Sequence, residues 1–516
     1  MPFRPNHQDQ LMLLPPSLED LIPEKDLARV VDRFVRSLSR SSVEDRLEKS
    51  QGRPSHHPRA MLKVLLYAYA GQLYSSRKIA RALRQNVCFM WLSGMERPDH
   101  STVSRFRSIY LKDCLGEVFG ELMRFLLKEG YVEGEDYFVD GTLVEADARK
   151  HHVVWRKNTQ RYGDRVRERA AEILREVERV NREEDEYYGE RDLGETGEGS
   201  NLTAEEIEEA ARRIGKEVEE KLKEKDRKKQ RRLESQARKL KKEAEKLRRY
   251  EEQEQTLAGR NSYSKTDPDA TFMRMKNGEL RGGYNLQIGT ENGFIVGHSL
   301  SQSPNDAASL KEHLEARKRQ GWKRDPKRLI ADAGYGTEEN YRLLEKEEIE
   351  AYVKYGSWYR ETSGKGKPFD KTAFEYDESK DEFICPAGRR LVRVGEKQIQ
   401  RQSGYVTLEH QYASPDCSGC QWKRQCTRSE GNRTLRHLPR LEKYQKEVRK
   451  RLTSEEGIAY RKRRGWEVET PFAMMKRNLG FVRVHLRGLA KASLEVTYLM
   501  TAMNLIRLAN LEAAKA

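Results

Sequence analysis

Between residues 160 and 258 the chain is dominated by Glu, Lys and Arg, and its few apolar residues keep step. Val166, Ala170, Ile173, Val177 and Val180 are separated by 4, 3, 4 and 3 residues. Ile207, Ala211, Ile214 and Val218 resume the steps, and Leu233, Ala237, Leu240, Ala244 and Leu247 continue them. This spacing gives each helix one narrow apolar stripe and leaves its other faces charged, so the stripe can be buried only against another helix. "TAEE" at Thr203–Glu206 is a capping box that starts a helix. The Gly-rich, acidic "GERDLGETGEGSNL" before it reads as a turn. The block is predicted to be an antiparallel coiled-coil hairpin, its Ala-rich seam suited to close two-helix packing, inserted into another domain over 161–260.

The flanks carry other periods. From about 25 to 128 the pattern is helical: Met61, Leu62, Leu65, Leu66, Ala68 and Tyr69 fall on one buried face. Ser75 and Ser76 are placed to cap a second helix carrying Arg77, Lys78, Arg81 and Arg84. "PDHSTVSRFRS" starts another, with Ser101 as a plausible N-cap. A short helix, a turn and a helix with basic residues near its start suit helix-turn-helix docking, with Ser101, Thr102, Ser104 and Arg105 facing DNA. The bland alternative is a dimerisation bundle with a solvated basic face. After the charged block the period becomes two. Tyr284–Gly289 and Phe294–Ser299 read as strands joined by Glu291-Asn292-Gly293, a strong hairpin turn. A helix near Ser309–Gln320, then strand, loop, helix and strand, indicate an α/β domain with a mixed sheet.

Charge narrows the partners. The formal balance is +16 and 35% of residues are charged, an excess that repels itself unless it faces a polyanion. No apolar run approaches the roughly 20 residues needed to cross a bilayer, and the N-terminus lacks the order of a signal peptide. Six cysteines in 516 residues do not make a disulfide scaffold. These features predict a cytoplasmic protein with reduced cysteines and no membrane partner.

Two short stretches carry the chemistry. In "YFVDGTLVEADARK" an apolar strand delivers Asp140 onto Gly141; in "LIADAG" another delivers Asp332 onto Ala333 and Gly334. The acids lie 192 residues apart, so only folding can join them. Neighbouring strands would set their ends side by side, where two carboxylates repel unless a hard divalent cation, Mg²⁺ or Mn²⁺, lies between them. A glycine beside each acid leaves room for a bulky substrate backbone. In "YRKRRGWEVETPFAMMKRNLGF", Glu469, Phe472 and Lys476 share a helical face with Arg463 and Arg464 upstream; plain surface charge is the alternative. Asp306, in "SQSPNDAASL", reads as a helix cap rather than a ligand.

Taken together, "PRAMLKVLLYAYAGQLYSSRKIARAL", "PDHSTVSRFR", "DGTLVEADARKHHVVW", "SKTDPDATFMRMKNGELRGGYNLQI", "ADAGYGTEENYRLL" and "VETPFAMMKRNLGFVRVHLRGL" resemble the DDE transposases of bacterial insertion sequences, in the group with a Tyr-Arg-Glu-Lys signature. The resemblance covers nearly the whole chain. It implies an α/β fold: an RNase-H-like mixed-sheet core with a coiled-coil insertion, a Cys-bearing insertion and an all-helical N-terminal domain. The expected organisation is a helical DNA-binding and dimerisation domain over 1–130, core segments at 131–160 and 261–360, a Cys-bearing insertion at 361–440, and closing helices at 441–516. It also implies that Asp140, Asp332 and Glu469 hold two Mg²⁺ or Mn²⁺ ions, with Tyr460, Arg464 and Lys476 supporting the DNA backbone. The substrates implied are double-stranded terminal inverted repeats and target DNA, bound by a homodimer.

Two departures leave alternatives open. Tyrosine and glutamate are separated by one residue more than in related sequences, so either Arg463 or Arg464 could take the arginine role. Pro471 stands one place late; if it opens the helix, Glu469 precedes the helix, and Glu467 competes as third ligand. Trp466 is placed to stack on a displaced base or to pack in the core, and by the resemblance Tyr284 and Asn285 line the cleft. Two other readings remain, an RNase-H-like endonuclease without strand transfer and a non-enzymatic coiled-coil DNA-binding protein. Separately, Cys385, Cys417, Cys420 and Cys426 could bind tetrahedral Zn²⁺; free thiols or an iron–sulfur cluster are the alternatives. Cys88 and Cys114 look like ordinary core residues.

Overall fold

The computed structural model describes residues 17–45, 56–188, 202–221, 227–322, 324–364, 368–401 and 403–515. They fall into two compact units, 1–144 with 285–516, and 145–284.

The first unit opens with helices α1 (Leu27–Ser37), α2 (Arg40–Val43), α3 (Pro58–Ala70), α4 (Ser76–Gln85), α5 (Val87–Ser93), α6 (His100–Arg105) and α7 (Leu115–Lys128). The apolar face expected of α3 is buried. Cys114 is buried and Cys88 half-buried. Strand β1 (Asp136–Glu145) follows and runs into the second unit.

The second unit contains β2 (Val153–Trp155), α8 (Arg156–Tyr188), α9 (Ala204–Lys221), α10 (Arg227–Leu257), β3 (Ser262–Ser264) and β4 (Thr271–Arg274). Val166, Ala170, Val177, Ile207, Ala211, Ile214, Val218, Leu233, Leu240, Ala244 and Leu247 form its core, with Ile173 and Ala237 packed against it. The side chain of Val180 and most of the Gly-rich turn lie outside the described residues. The packing differs from the expected two-helix hairpin. Tyr162 stacks on Tyr250 while Glu176 pairs with Arg232, so α8 runs antiparallel to α10. Glu208 pairs with Arg248 and the Ala204 N–H donates to Glu251, so α9 is antiparallel to α10 as well. The result is three helices around one seam, because α10 offers apolar residues to two partners. The capping box forms: Thr203 N–H donates to Glu206 (2.8 Å) and Glu206 N–H to Thr203 Oγ1 (3.3 Å).

Strand β5 (Leu280–Glu291) leads back to the first unit and turns into β6 (Phe294–Ser301). Asn292 (φ 53°) and Gly293 (φ 73°) take the left-handed conformations that a tight hairpin needs. Then come α11 (Asp306–Arg319), β7 (Arg328–Ala331), α12 (Glu338–Lys346), β8 (Glu350–Val353) and α13 (Trp358–Thr362). The strands form a mixed sheet: β6-β5-β1-β7-β8, with β4 paired to the first residues of β5. Pairs β1–β7 and β7–β8 are parallel, and β5–β6 is antiparallel.

A five-stranded antiparallel sheet follows, built from β9 (Glu375–Asp377), β10 (Glu382–Ile384), β11 (Arg390–Gln400), β12 (Val406–Ala413) and β13 (Thr434–His437), with the short α14 (Lys423–Cys426) between the last two. Helices α15 (Pro439–Thr453), α16 (Glu455–Ala473) and α17 (Leu489–Lys515) close the chain. The buried α17 packs against β6 and against α1, α3 and α7, so the N-terminal helices share the core of this unit. Its Glu495 accepts from Tyr69 Oη (3.1 Å) and from the backbone of His485 and Leu486. No helix among the described residues is long and apolar enough to cross a membrane.

Candidate active site

Parallel pairing of β1 and β7 sets Asp136 against Arg328, Tyr137 against Leu329 and Phe138 against Ile330. That offset of 192 residues is also the separation of Asp140 and Asp332. The two acids therefore continue the register of adjacent strands, two positions beyond the last pair. Asp140 is inside β1 rather than at its end, because β1 runs on to Glu145. Asp332 leaves β7 and caps a short turn, accepting from Gly334 N–H (2.9 Å).

A cation joins them. The Arg464 guanidinium, projected from α16, lies 3.2 Å from Asp140 Oδ2 and 3.8 Å from Asp332 Oδ2. Among the described residues its buried Nε and Nη2 make no hydrogen bond, so these two nitrogens meet the acids through charge. Burial pushes the Asp140 carboxyl up; Arg464 opposes the rise, and the charges of Asp332 and Asp306 add to it. The space beside Gly141 is not open to substrate. A Cβ there would stand 2.3 Å from Asp306 Oδ1 and 2.4 Å from Gln287 Nε2. Asp306 is thus a third acid at this point. The cap of α11 is its neighbour Asn305, which accepts from Ala307 N–H.

Helix α16 sorts its other residues by face. Arg463 donates to Asp136 (3.2 Å), Glu467 (3.0 Å) and Asn292 (2.7 Å), and lies over the Phe138 ring. Tyr460 donates to Asp136 and Glu456. Glu467 is fully buried and accepts from the backbone N–H groups of Asn292 (3.0 Å) and Gly293 (2.7 Å). Glu469 is exposed. Five residues beyond Arg464, it lies about 140° around an α-helix from it. Pro471 is inside α16 rather than at its start, so Glu469 is a helical residue. Lys476, in the π-helical turn that follows, donates to Thr142 Oγ1 (2.7 Å) and Leu143 O (2.9 Å) on β1. Trp466 is 48% exposed and not packed in the core. Asn285 reaches Asp306, whereas the buried Tyr284 donates to Asp267 in the second unit.

At the N-terminal helices the cap of α6 is Asp99, which accepts from Thr102 N–H (2.7 Å); Ser101 donates its hydroxyl to Asp99 instead of capping. Both residues suit a cap, and the structure starts the helix earlier. Ser101, Ser104 and Arg105 line an open groove with Arg77, His100 and Ser76.

The cysteines of the β9–β13 region form no disulfide, and Cys385, Cys417, Cys420 and Cys426 line one cavity. Backbone N–H groups of Arg389 and Arg433 donate to Cys385 Sγ (3.3 Å) and Cys417 Sγ (3.4 Å). Burial pushes the Cys426 thiol up, Arg433 opposes that, and the three other cysteines add to it. Among the described residues no three Asp, Glu, His or Cys side chains stand as a ready metal cage.

Two families match the chain. Residues 16–108 match the transposase domain DUF772, and residues 384–509 match the transposase DDE domain. The first match includes Ser101 to Arg105; the second includes the four cysteines, Glu469 and Lys476. No curated protein matches. Both families are of transposases. Together they support the resemblance of the chain to insertion-sequence DDE transposases.

Proposed function

We propose that the chain cleaves and joins DNA at the ends of its own insertion sequence, by metal-dependent phosphodiester hydrolysis and transesterification on an RNase-H-like core. One observation carries this reading: two aspartates 192 residues apart continue one register of adjacent parallel strands, beneath a single guanidinium. A structural role for that cluster is disfavoured, because half-buried like charges cost stability unless a cation offsets them. The oxygen donors, and a guanidinium whose buried Nε and Nη2 make no hydrogen bond among the described residues, fit a site for hard divalent cations. Mg²⁺ or Mn²⁺, when bound as a pair, supplies activation of the attacking hydroxyl and stabilisation of the leaving oxygen.

Asp140 and Asp332 hold the ions on the sheet. Glu469 is the third ligand by the resemblance, exposed on α16. Of the two arginines, Arg464 takes the phosphate role, since Arg463 is committed to Asp136, Glu467 and Asn292. Lys476 sits beside Thr142, two residues past Asp140, where it neutralises a phosphate. Tyr460 steadies α16 against β1. Ser101, Thr102, Ser104 and Arg105 contact the terminal repeats as duplex DNA, and two ends held together imply a homodimer.

The test is strand transfer with element-end DNA and Mn²⁺. Asp140→Asn should lower cleavage on the order of 10³-fold or more, the scale of losing a group that acts in the transition state, while DNA binding persists. Undiminished cleavage removes Asp140 from the mechanism; cleavage by the wild type without joining favours the endonuclease; binding alone favours a non-enzymatic protein. The four convergent thiols, two of them accepting backbone N–H groups, also support structural Zn²⁺. Metal analysis of the purified protein should find one zinc per chain, and its absence would assign the cysteines as free thiols.

A further inference from the structure

The acid that the sequence disguises is Asp306. As the first residue of α11 it looks like a cap, but Asn305 caps the helix. Its carboxylate is instead drawn to the sheet. Oδ1 accepts from Asn285 Nδ2 (2.8 Å) and Gln287 Nε2 (2.8 Å), two carboxamides on the same face of β5. Both amides are almost fully buried, and Gln287 is itself fixed by the buried Tyr335 hydroxyl. Oδ2 accepts no hydrogen bond among the described residues. The carboxylate spans the glycines that follow Asp140 and Asp332: Oδ1 fills the Cβ space of Gly141, and Oδ2 lies 3.8 Å from where a Gly334 Cβ would stand. Asp140 and Asp332 turn one oxygen each to the N–H groups of those same glycines.

Resting on the proposed metal-dependent reading of the cleft, we propose that Asp306 is a further carboxylate of the divalent-cation site. The amide pair orients one oxygen so that the other faces the ground between Asp140 and Asp332. Nothing in the fold requires a charge there, because a neutral side chain could satisfy the two amides. Placing a third acid beside two others is unfavourable in the protein alone and becomes favourable with a multiply charged cation. Supporting carboxylates by amide donors that leave one oxygen free is how ligands are oriented around metals. In this structure Arg464 provides the compensating charge.

The experiment is Mn²⁺ binding to the full-length protein without DNA, followed by electron paramagnetic resonance, for wild type, Asp306→Asn, Asp140→Asn and Asn305→Ala, with thermal melts of each. Asp306→Asn should weaken Mn²⁺ binding at least tenfold while its metal-free melting temperature stays level or rises. Asn305→Ala should lower the melting temperature and leave Mn²⁺ affinity within twofold. If Asp140→Asn loses Mn²⁺ but Asp306→Asn binds like wild type, Asp306 is outside the site and the wider reading stands. If neither substitution changes Mn²⁺ binding, the metal reading of the cleft fails and this inference with it. A lowered metal-free melting temperature for Asp306→Asn with unchanged affinity also overturns the proposal, since it marks a structural residue.

Discussion

The carboxylate cleft and the three-helix unit are both dense in charge, yet they treat it in opposite ways. Around α8, α9 and α10 most acids lie outside an apolar seam, and the pairs Glu176–Arg232 and Glu208–Arg248 stand at its rim. Such exposed pairs contribute only about 0–1 kcal/mol each, and the unit depends on its Leu, Ile, Val and Ala core. In the cleft, Asp140 and Asp332 share one guanidinium that among the described residues has no hydrogen bonds at Nε or Nη2, and Asp306 stands beside Gly141. The contrast teaches that the number of charges says little about function. A half-buried excess of one sign, kept where apolar residues would be more stable, marks the working surface.

Neighbouring arginines give the strongest test of that contrast. Arg463→Gln should destabilise the fold by about 3 kcal/mol, because fully buried Glu467 loses its cation, and Mn²⁺ should not restore it. Arg464→Gln should instead lower cleavage about 10- to 100-fold. Its melting temperature should gain more from Mn²⁺ than the wild type does, as the ion replaces the missing charge. Equal responses of the two variants to Mn²⁺ would erase the distinction. On the helical side, Leu240→Ala should cost about 2–5 kcal/mol in the cooperative unfolding of that unit, measured by denaturant melts, with little change in Mn²⁺ binding. The smallest effect is at the capping box, where Thr203→Ala should cost about 1 kcal/mol. Its pH dependence has a definite sign. The Glu206 carboxyl is held below 4.5 by the Thr203 N–H and hydroxyl, so its contribution is present above 4.5 and is lost as pH falls through the folded value. Melts of a Glu206→Gln variant against wild type should converge as pH is lowered through that window.

The sequence makes some of this architecture readable and hides the rest for physical reasons. The seam residues are legible because burial on a helix imposes a period, and the structure buries nearly all of those it describes. The number of helices is not, since a 4-3 step names a stripe but does not count the partners that cover it. Asp140 and Asp332 stand out as acids after apolar strands followed closely by glycine. Asp306 does not, because an acid at a helix start has an ordinary use. The available signals were Asn305 already in the cap position and Asn285 with Gln287 two residues apart, sharing one face of a strand. Spacing alone cannot separate Arg463 from Arg464, because one step along a helix turns the side chain by about 100°. Only the packed sheet shows which arginine is spent on Asp136 and which meets the acids.

The junction at the base of the second unit has a consequence for how such a chain can change. Ala146 N–H donates to Gly282 O at 2.9 Å, so the polypeptide departs from β1 and returns through β5 at one doorway. The excursion between those points is long, yet the strands that frame it are as near to each other as in a tight hairpin, and closure entropy grows only slowly with loop length. A guest of almost any size can be lodged there, trimmed or exchanged, while the ladder that aligns residues 192 apart keeps its count.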